Sequence, residues 1–180
     1  ISFVLLLFLA IGIYKFRDGF LYYLGFKTDK NIETLSKEER KLADIRIYEV
    51  LHKHDDKAIG FDVSEYQSEI DWEQTYHIDE SFELSFVFIR ATAGKNKVDS
   101  RFKENWKASK ERELIRGAYH YYRPNENSIE QAENFIKNVK LEKGDLPPVL
   151  DIEKLPRKQS IDSLKVGLRR WLKKVEKHYK

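Results

Sequence analysis

Residues 86–92 read FVFIRAT and residues 147–153 read PPVLDIE, and both runs are apolar almost throughout. This composition is typical of β-strands that are covered on both faces, because a strand with one wet face alternates apolar and polar residues. Residues 58–64 and 116–122 form two further runs of β type. The four runs predict a sheet that is buried on both sides.

Helical stretches separate and follow the four predicted strands. We expect a short helix after Asp71 and longer helices over residues 100–113, 128–139 and 160–178. Four repeats of strand and helix predict an α/β fold with a parallel sheet, either a closed (β/α) barrel or an open, doubly wound sheet. No G-x-G-x-x-G motif follows the first strand, which disfavours the nucleotide-binding form of the open sheet.

Two boundaries carry local signals. Asn127 and Ser128 offer an N-cap, and Gln131 lies three residues after Ser128 as the partner in a capping box. Gly117 follows the preceding helix closely enough to form its exit turn. Both signals sharpen the predicted ends of the helices.

The overall composition excludes several classes of function. The chain has 33 Lys and Arg against 30 Asp and Glu among its 180 residues, and this near balance disfavours nucleic-acid binding, which needs a basic patch without interleaved acids. The absence of cysteine excludes disulfides, thiolate zinc sites and cysteine nucleophiles. His52 and His54 lack the helical spacing of metal-binding histidines, so we expect neither a metal nor a cofactor.

The segment Ile1–Tyr14 reads ISFVLLLFLAIGIY and carries no charge. A bilayer span takes about 20 apolar residues, so we expect further residues before this segment. Phe20 and Tyr22 are aromatics of the kind that lie at a membrane interface, and no A-x-A cleavage site follows the run. We predict an uncleaved single-pass anchor over residues 1–23, with a cytoplasmic N-terminus and the rest of the chain extracytoplasmic. A cleaved signal, and hence secretion, is the alternative.

Residues 24–57 are dense in charge and connect this segment to the first predicted strand. From residue 31 to about residue 54 the apolar residues recur at the spacing of an amphipathic helix: Leu35, Leu42, Ile45, Ile47, Val50 and Leu51. We predict a helical stalk over residues 24–57 and a globular domain over residues 58–180.

Acidic side chains lie at the ends of two predicted strands. Asp62 is near the end of the first strand, and Asp151 and Glu153 close the fourth. The carboxyl ends of parallel strands meet at one edge of the fold, where catalytic groups gather. Residues i and i+2 of a strand share one face, so we expect the Cα atoms of Asp151 and Glu153 to lie roughly 6.5 to 7 Å apart.

The pair Asp151 and Glu153 has the chemistry that glycoside hydrolysis requires. Two acids this close in a partly apolar mouth cannot both ionise freely, so one should hold its proton near neutral pH. A glycosidase uses that protonated acid for the leaving oxygen and a negative group beside the developing positive charge. A solvated strand end, or a pair of ligands for a divalent metal, would explain the same D-x-E motif.

Six segments in order give a more specific signal: GFDVSEYQSEIDW, FVFIRATAG, VDSRFKENWKAS, GAYHYYRP, QAENFIKNV and LPPVLDIE. Together they resemble the lysozymes of glycoside hydrolase family 25, the Chalaropsis-type muramidases, over residues 58–153 and less strongly over the helix that follows. The lead-in RIYEVLHKHDDKAIGFDVSEYQ is similar to that of membrane-anchored bacterial members. The resemblance implies a modified, TIM-like (β/α) barrel that hydrolyses the β-1,4 bond between N-acetylmuramic acid and N-acetylglucosamine in peptidoglycan.

The resemblance also implies roles for the three acids. Glu153 matches the general acid of the family. Asp151 matches the partner carboxylate that assists, for example by orienting the acetamido group of the substrate as an internal nucleophile. Asp62 matches the first-strand acid at the scissile subsite.

Several other side chains are candidates for contact with the glycan. Tyr119, Tyr121 and Tyr122 lie in the third-strand block, where aromatic residues would line the sugar groove; the first two share one face of the strand and Tyr122 points to the other. Arg90 ends the second strand and is a further candidate, although it could instead form a structural ion pair with Asp151 or Glu153. We expect the remaining conspicuous side chains to be packed in the core: His120, Trp72, Trp106 and Trp171.

The resemblance implies a longer protein, because a complete family member continues past the fourth helix with further strands, another acid and a closing aromatic region. We therefore expect about the first four β-α units of the barrel here, and we expect residues 58–180 alone not to form a stable, active monomer. Two rival functions stay open. One is a catalytically inactive peptidoglycan-binding or scaffold protein, and the other is a metal-dependent hydrolase that uses the three acids as ligands.

Overall fold

The computed structural model describes residues 36–67, 69–73, 77–78 and 82–180. The chain divides into two compact units, Ile1–Lys53 and His54–Lys180. The membrane anchor predicted over residues 1–23 lies outside the described residues. Among the helices that the structure does describe, none is both long and apolar enough to cross a bilayer.

In the first unit the described residues form helix α1, Lys37–Lys53, which lies within the predicted stalk. A capping box starts the helix: the Ser36 hydroxyl accepts a hydrogen bond from the amide of Glu39 at 3.2 Å, and the Glu39 carboxylate accepts one from the amide of Ser36 at 2.9 Å. Acidic residues in its first turn and basic residues in its last turn complement the helix dipole. Leu42 and Val50 are more than half exposed.

The second unit contains a mostly parallel β-sheet in the order β1-β3-β5-β6, with two short strands, β2 and β4, antiparallel to β3. These strands are β1 Ile59–Val63, β2 His77–Ile78, β3 Phe82–Ala93, β4 Lys97–Val98, β5 Ile115–Tyr121 and β6 Val149–Asp151. The four parallel strands are those predicted from the apolar runs, so the prediction of an α/β fold with a parallel sheet is confirmed. In the described residues β1 and β6 are the two ends of this sheet, and they do not pair with each other.

Three α-helices follow the strands: α2 Phe102–Glu111, α3 Ser128–Asn138 and α4 Ile161–Tyr179. A short 3-10 helix, Glu65–Gln67, follows β1. The helix predicted after Asp71 falls partly on residues 74–76, which lie outside the described residues; Trp72 and Glu73 form a turn.

The helices cover one face of the sheet. Val87, Ile89 and Ala118 point to that face and are fully buried, together with Phe135 of α3 and Trp171 of α4. This confirms the prediction that Trp171 is a core residue, and Trp72, at 9% exposed, belongs to the same core. Trp106 of α2 is partly buried against it.

The opposite face of the sheet is less covered, and two phenylalanine rings lie across it. Phe86 and Phe88 are half-buried and meet edge to face, with ring centroids 5.9 Å apart. Each ring lies over a glycine of a neighbouring strand: a Cβ atom on Gly60 would stand 2.3 Å from Cε2 of Phe86, and one on Gly117 would stand 2.4 Å from Cε1 of Phe88. Only glycine leaves room for these rings.

The predicted N-cap at Asn127 is confirmed, whereas its predicted capping-box partner and the predicted exit turn at Gly117 are wrong. Gly117 is not the exit of a helix but lies inside β5 beneath Phe88; the chain leaves α2 through Glu113, whose φ is 58°. The residue that caps α3 is Asn127, whose side chain accepts hydrogen bonds from the amides of Ile129 at 2.8 Å and Glu130 at 3.3 Å. The proposed capping-box residue, Gln131, is buried and bonds elsewhere.

Candidate active site

Asp62 and Asp151 lie on the less covered face, at the carboxyl ends of the two outermost parallel strands. Asp62 is the fourth residue of β1 and is exposed, and Asp151 is the last residue of β6 and is half-buried. Their strand neighbours Val63 and Leu150 contact the helix-covered core. Because side chains alternate along a strand, the two acids point to the other face.

Glu153 lies beyond the sheet. The fourth strand was predicted to extend to Glu153 but ends at Asp151, so strand alternation does not fix the position of Glu153 relative to Asp151. Glu153 is exposed in the segment that leads from β6 toward α4. The predicted catalytic roles of the three acids therefore remain predictions, with two of the acids on one face of the sheet.

The phenol of Tyr119, in β5, is within electrostatic reach of both aspartates. Burial raises the pKa of the Tyr119 phenol well above its usual value, and the negative charges of Asp62 and Asp151 add to the rise. Arg90 and a hydrogen bond with Ser64 act in the opposite direction. The raised pKa favours the neutral phenol, which can act as a hydrogen-bonding group near the two aspartates.

Tyr121 shares the face of Tyr119 and is the register partner of Asp151. The Nζ atom of Lys154 lies 5.8 Å from the centroid of its ring. Tyr122, the third tyrosine proposed for substrate binding, is 1% exposed and packs on the helix-covered side of the sheet. Its hydroxyl lies 2.7 Å from where a Cβ atom on Gly167 would stand, so the assignment of Tyr122 to the sugar groove is corrected to a core residue.

Arg90 is engaged by acids other than the predicted ones. Its Nε atom donates to Asp99 at 2.8 Å, and its terminal nitrogen donates to Glu65 at 3.2 Å. The side chains of Arg90 and Asp99 are 8% and 1% exposed. The structural ion pair suggested for Arg90 thus exists, but its partners are Asp99 and Glu65 rather than Asp151 or Glu153.

Glu65 is the second acid that binds Arg90, and the three side chains Arg90, Asp99 and Glu65 form one ionic cluster. Burial raises the pKa of Glu65, but hydrogen bonds from the amide and hydroxyl of Ser100 and from Lys97 outweigh this and lower the pKa of Glu65 to about 2. Glu65 and Asp99 were not predicted as site residues from the sequence. Glu65 follows the end of β1, and an acid at that place could have been recognised as a candidate site residue. Asp99 offered no such signal, because its partner Arg90 lies in β3 and the contact depends on the tertiary fold.

His120 is a structural residue, as predicted. It is fully buried, its ring stacks on Trp171 with centroids 5.5 Å apart, and both ring nitrogens have hydrogen-bond partners, Thr92 and Gln131. Within the described part of the chain, no three His, Asp or Glu side chains are grouped so that they could hold a metal ion.

Comparisons with known proteins agree on one family. The sequence profile of the glycosyl hydrolases of family 25 matches residues 61–180. The chain is 43% identical to the uncharacterized protein YegX of Escherichia coli (strain K12) over 119 residues, which cover 66% of this chain and 43% of the relative. It is 36% identical to Lysozyme M1 of Streptomyces globisporus over 126 residues, which cover 67% of this chain and 42% of the relative. The chain thus spans less than half the length of these curated relatives.

Solved structures give the same result. A family 25 glycosyl hydrolase from Bacillus anthracis superposes with a TM-score of 0.61 at 34% identity, over 68% of this chain and 57% of that one. A lysozyme from Streptomyces coelicolor superposes with a TM-score of 0.59 at 31% identity, over 68% of this chain and 59% of that one. With a profile match over most of its length and relatives of this similarity, the chain belongs to glycosyl hydrolase family 25.

Proposed function

We propose that the protein is a lysozyme that hydrolyses the β-1,4 bond between N-acetylmuramic acid and N-acetylglucosamine in peptidoglycan. The observation that carries the proposal is the placement of Asp62 and Asp151 on one face at the carboxyl edge of a parallel sheet, in a chain of family 25. Lysozyme M1 of Streptomyces globisporus, a relative by sequence, supports the choice of substrate.

The acids divide the chemistry between them. Glu153 is the general acid that protonates the leaving oxygen, and its exposed position after β6 gives it access to a glycan strand. Asp151 stabilises the positive charge that develops on the sugar, or orients the acetamido group that does so. Asp62 and the neutral Tyr119 hold the sugar at the same edge, and Tyr121 lines the groove beside Asp151.

The sheet belongs to a (β/α) barrel in this proposal. The less covered face, with Phe86, Phe88 and the two aspartates, corresponds to the inside of such a barrel, and the helix-covered face corresponds to its outside. The apolar run of residues 1–14 supports an anchored, extracytoplasmic enzyme, which is where peptidoglycan lies. No cofactor takes part in the mechanism.

The test uses the whole protein and purified peptidoglycan. We expect the wild type to release new reducing ends at a rate that is unchanged by a chelator, whereas a metal-dependent hydrolase would lose its activity. We expect Glu153→Gln to lower kcat by about 10² to 10⁴-fold, because it removes the transferable proton, while the protein still sediments with insoluble peptidoglycan. Glu111→Gln, which changes an exposed acid on α2, is the matched control and should behave as wild type.

Two results would overturn the proposal. Near-normal turnover by Glu153→Gln would reject the general acid. A wild-type protein that sediments with peptidoglycan but releases no reducing ends would instead be a binding or scaffold protein.

A further inference from the structure

Tyr66 is unusually exposed for an aromatic residue beside an active site. It is 79% exposed, more than any other large hydrophobic residue that the structure describes. It lies in the 3-10 helix that directly follows β1, four residues after Asp62. Singly exposed apolar residues are common on protein surfaces, so exposure alone does not indicate a function.

One face of the Tyr66 ring stacks on the guanidinium of Arg90, which is buried. The guanidinium carbon of Arg90 lies 4.5 Å from the centroid of the Tyr66 ring. Asp99 and Glu65 fix two nitrogens of this guanidinium at 2.8 and 3.2 Å, so its plane cannot turn freely. One face of the ring therefore rests on a rigid support, and the large exposed fraction belongs to the other face.

The backbone beneath the ring is held as well. The amide of Tyr66 donates to the Ser64 hydroxyl at 3.3 Å, and the amide of Glu65 donates to Asp99 at 2.9 Å. Gln67 accepts from both the amide and the hydroxyl of Ser64, at 2.8 and 2.9 Å. These bonds order the backbone that carries the ring, and a binding surface gains affinity when its groups are ordered before the ligand arrives.

The supported ring lies at the acid-bearing edge of the sheet. Arg90, which contacts the ring, is the register partner of Tyr119 in the neighbouring strand β5. Tyr121 shares the face of Tyr119 and is the register partner of Asp151. Tyr66 itself follows Asp62 by four residues, so the ring stands at the carboxyl edge on which both aspartates lie.

We infer that Tyr66 is a sugar-stacking platform, and that Arg90 is the positioning residue that holds its ring flat. The open face of the ring binds the apolar C–H face of a pyranose unit of the glycan next to the acids, while the phenol hydroxyl faces solvent. Aromatic rings combine a large apolar face with a rigid shape and only two side-chain torsions, which suits this contact. The inference rests on the proposed lysozyme function and adds a binding subsite to it.

The experiment measures KM and kcat for a soluble tetrasaccharide of two disaccharide units prepared from purified peptidoglycan. We expect Tyr66→Ala to raise KM about tenfold, the size of one lost aromatic contact, with kcat within about twofold of the wild type. Tyr66→Phe should retain a KM near that of the wild type, because the ring is kept. Tyr48→Ala on α1, another exposed tyrosine, is the matched control and should change nothing.

A double-mutant cycle tests the positioning role. Arg90→Lys keeps the charge but loses the flat guanidinium, so it should raise KM, and its effect should largely disappear when Tyr66 is already alanine. If Arg90→Lys does not fold, the Tyr66 variants still decide the main point.

The outcomes separate the inference from the proposed function. If the wild type hydrolyses the tetrasaccharide and Tyr66→Ala has an unchanged KM, or if Tyr66→Phe is as impaired as Tyr66→Ala, the stacking platform is rejected and the lysozyme stands. If the wild type releases no product, the proposed function fails, and the inference fails with it.

Discussion

The hydroxyl oxygen of Thr92 lies 2.7 Å from Nδ1 of His120, in the fully buried interior. On the other side of the ring, Nε2 lies 3.2 Å from the Gln131 side-chain oxygen, which also accepts from the amide of Arg123 at 2.9 Å. Since that oxygen is an acceptor, Nε2 of His120 carries the hydrogen and Nδ1 accepts from Thr92. This arrangement suits the neutral imidazole and leaves no place for a second proton.

Acid should therefore weaken the fold through His120. Burial lowers the pKa of His120 to about 4, so the unfolded chain takes up a proton near pH 6.5 that the folded protein refuses. The free energy of unfolding should fall as the pH decreases from about 6.5 to about 4, by at most about 1.4 kcal/mol per pH unit from this group. Urea unfolding of the wild type and of His120→Asn at pH 5.0 and 6.5 checks this; an equal change in both proteins would contradict it.

A methyl group on Gly117 should destabilise the sheet. The new Cβ atom would stand 2.4 Å from the ring of Phe88 and 3.1 Å from Cβ of Leu146, so the ring or the strand must move. We expect Gly117→Ala to lower the free energy of unfolding by about 1 to 3 kcal/mol, as is typical of overpacking. Phe88→Leu removes the clashing ring atoms, so the double variant should lose less than the sum of the two single losses; strict additivity would contradict the steric explanation.

The ion pair of Arg116 and Asp145 should contribute strongly to stability. Arg116 donates to Asp145 at 2.7 and 3.3 Å and to the carbonyl of Trp106 at 2.7 Å, and its guanidinium carbon lies 4.1 Å from the Trp106 ring centroid. Both charged side chains are less than a tenth exposed. Arg116→Met leaves a buried carboxylate without its cation, so we expect a loss of about 3 to 5 kcal/mol in chemical unfolding.

The exposed ion pair of Lys107 and Glu111 gives a matched control for that measurement. Its atoms are 3.5 Å apart and both side chains are more than half exposed. Lys107→Met should change the free energy of unfolding by less than about 1 kcal/mol. Similar losses for Lys107→Met and Arg116→Met would show that burial does not govern these pairs.

Charge removal at the two aspartates should affect turnover more than the fold. Asp151→Asn removes the negative charge beside the reacting sugar, so we expect kcat to fall by about 10² to 10³-fold. Asp62→Asn should be similar or somewhat milder, because Asp62 is exposed and water screens it. Reducing-end assays on peptidoglycan give the rates, and thermal melts should show both variants folded; a folded Asp151→Asn variant with normal kcat would remove Asp151 from the mechanism.

The apolar runs and the alternation of strand and helix were enough to predict the four parallel strands, because both leave a strong pattern in a sequence. The predicted burial of both faces is met on one face only in the described residues, since the face that carries Phe86 and Phe88 is less covered. The apolar runs did not predict the end of β6 at Asp151, since a polar residue after a strand can continue it or leave it. The pattern also could not show that Gly117 lies beneath Phe88, because a glycine near a helix end and a glycine under a ring look alike in a sequence.

The candidate site was predictable where the residue type itself carries the chemistry, as with Asp62 and Asp151. The cluster around Arg90 was not, because Asp99 and Glu65 reach it from separate segments whose approach depends on the tertiary fold. The alternation of side chains along a strand predicted that Tyr119 and Tyr122 point to opposite faces of the sheet. Which face is the core could not be predicted from the sequence, and the burial of Tyr122 shows that it points into the core.

Among the described strands, β1 pairs with β3 alone, over five register partners, and β6 pairs with β5 alone, over three. Hydrogen-bonded units open locally when few contacts hold them. We therefore expect the short strand that carries Asp151 to open locally more often than the longer strand that carries Asp62. The geometry of the acid pair should then vary mainly at its Asp151 end.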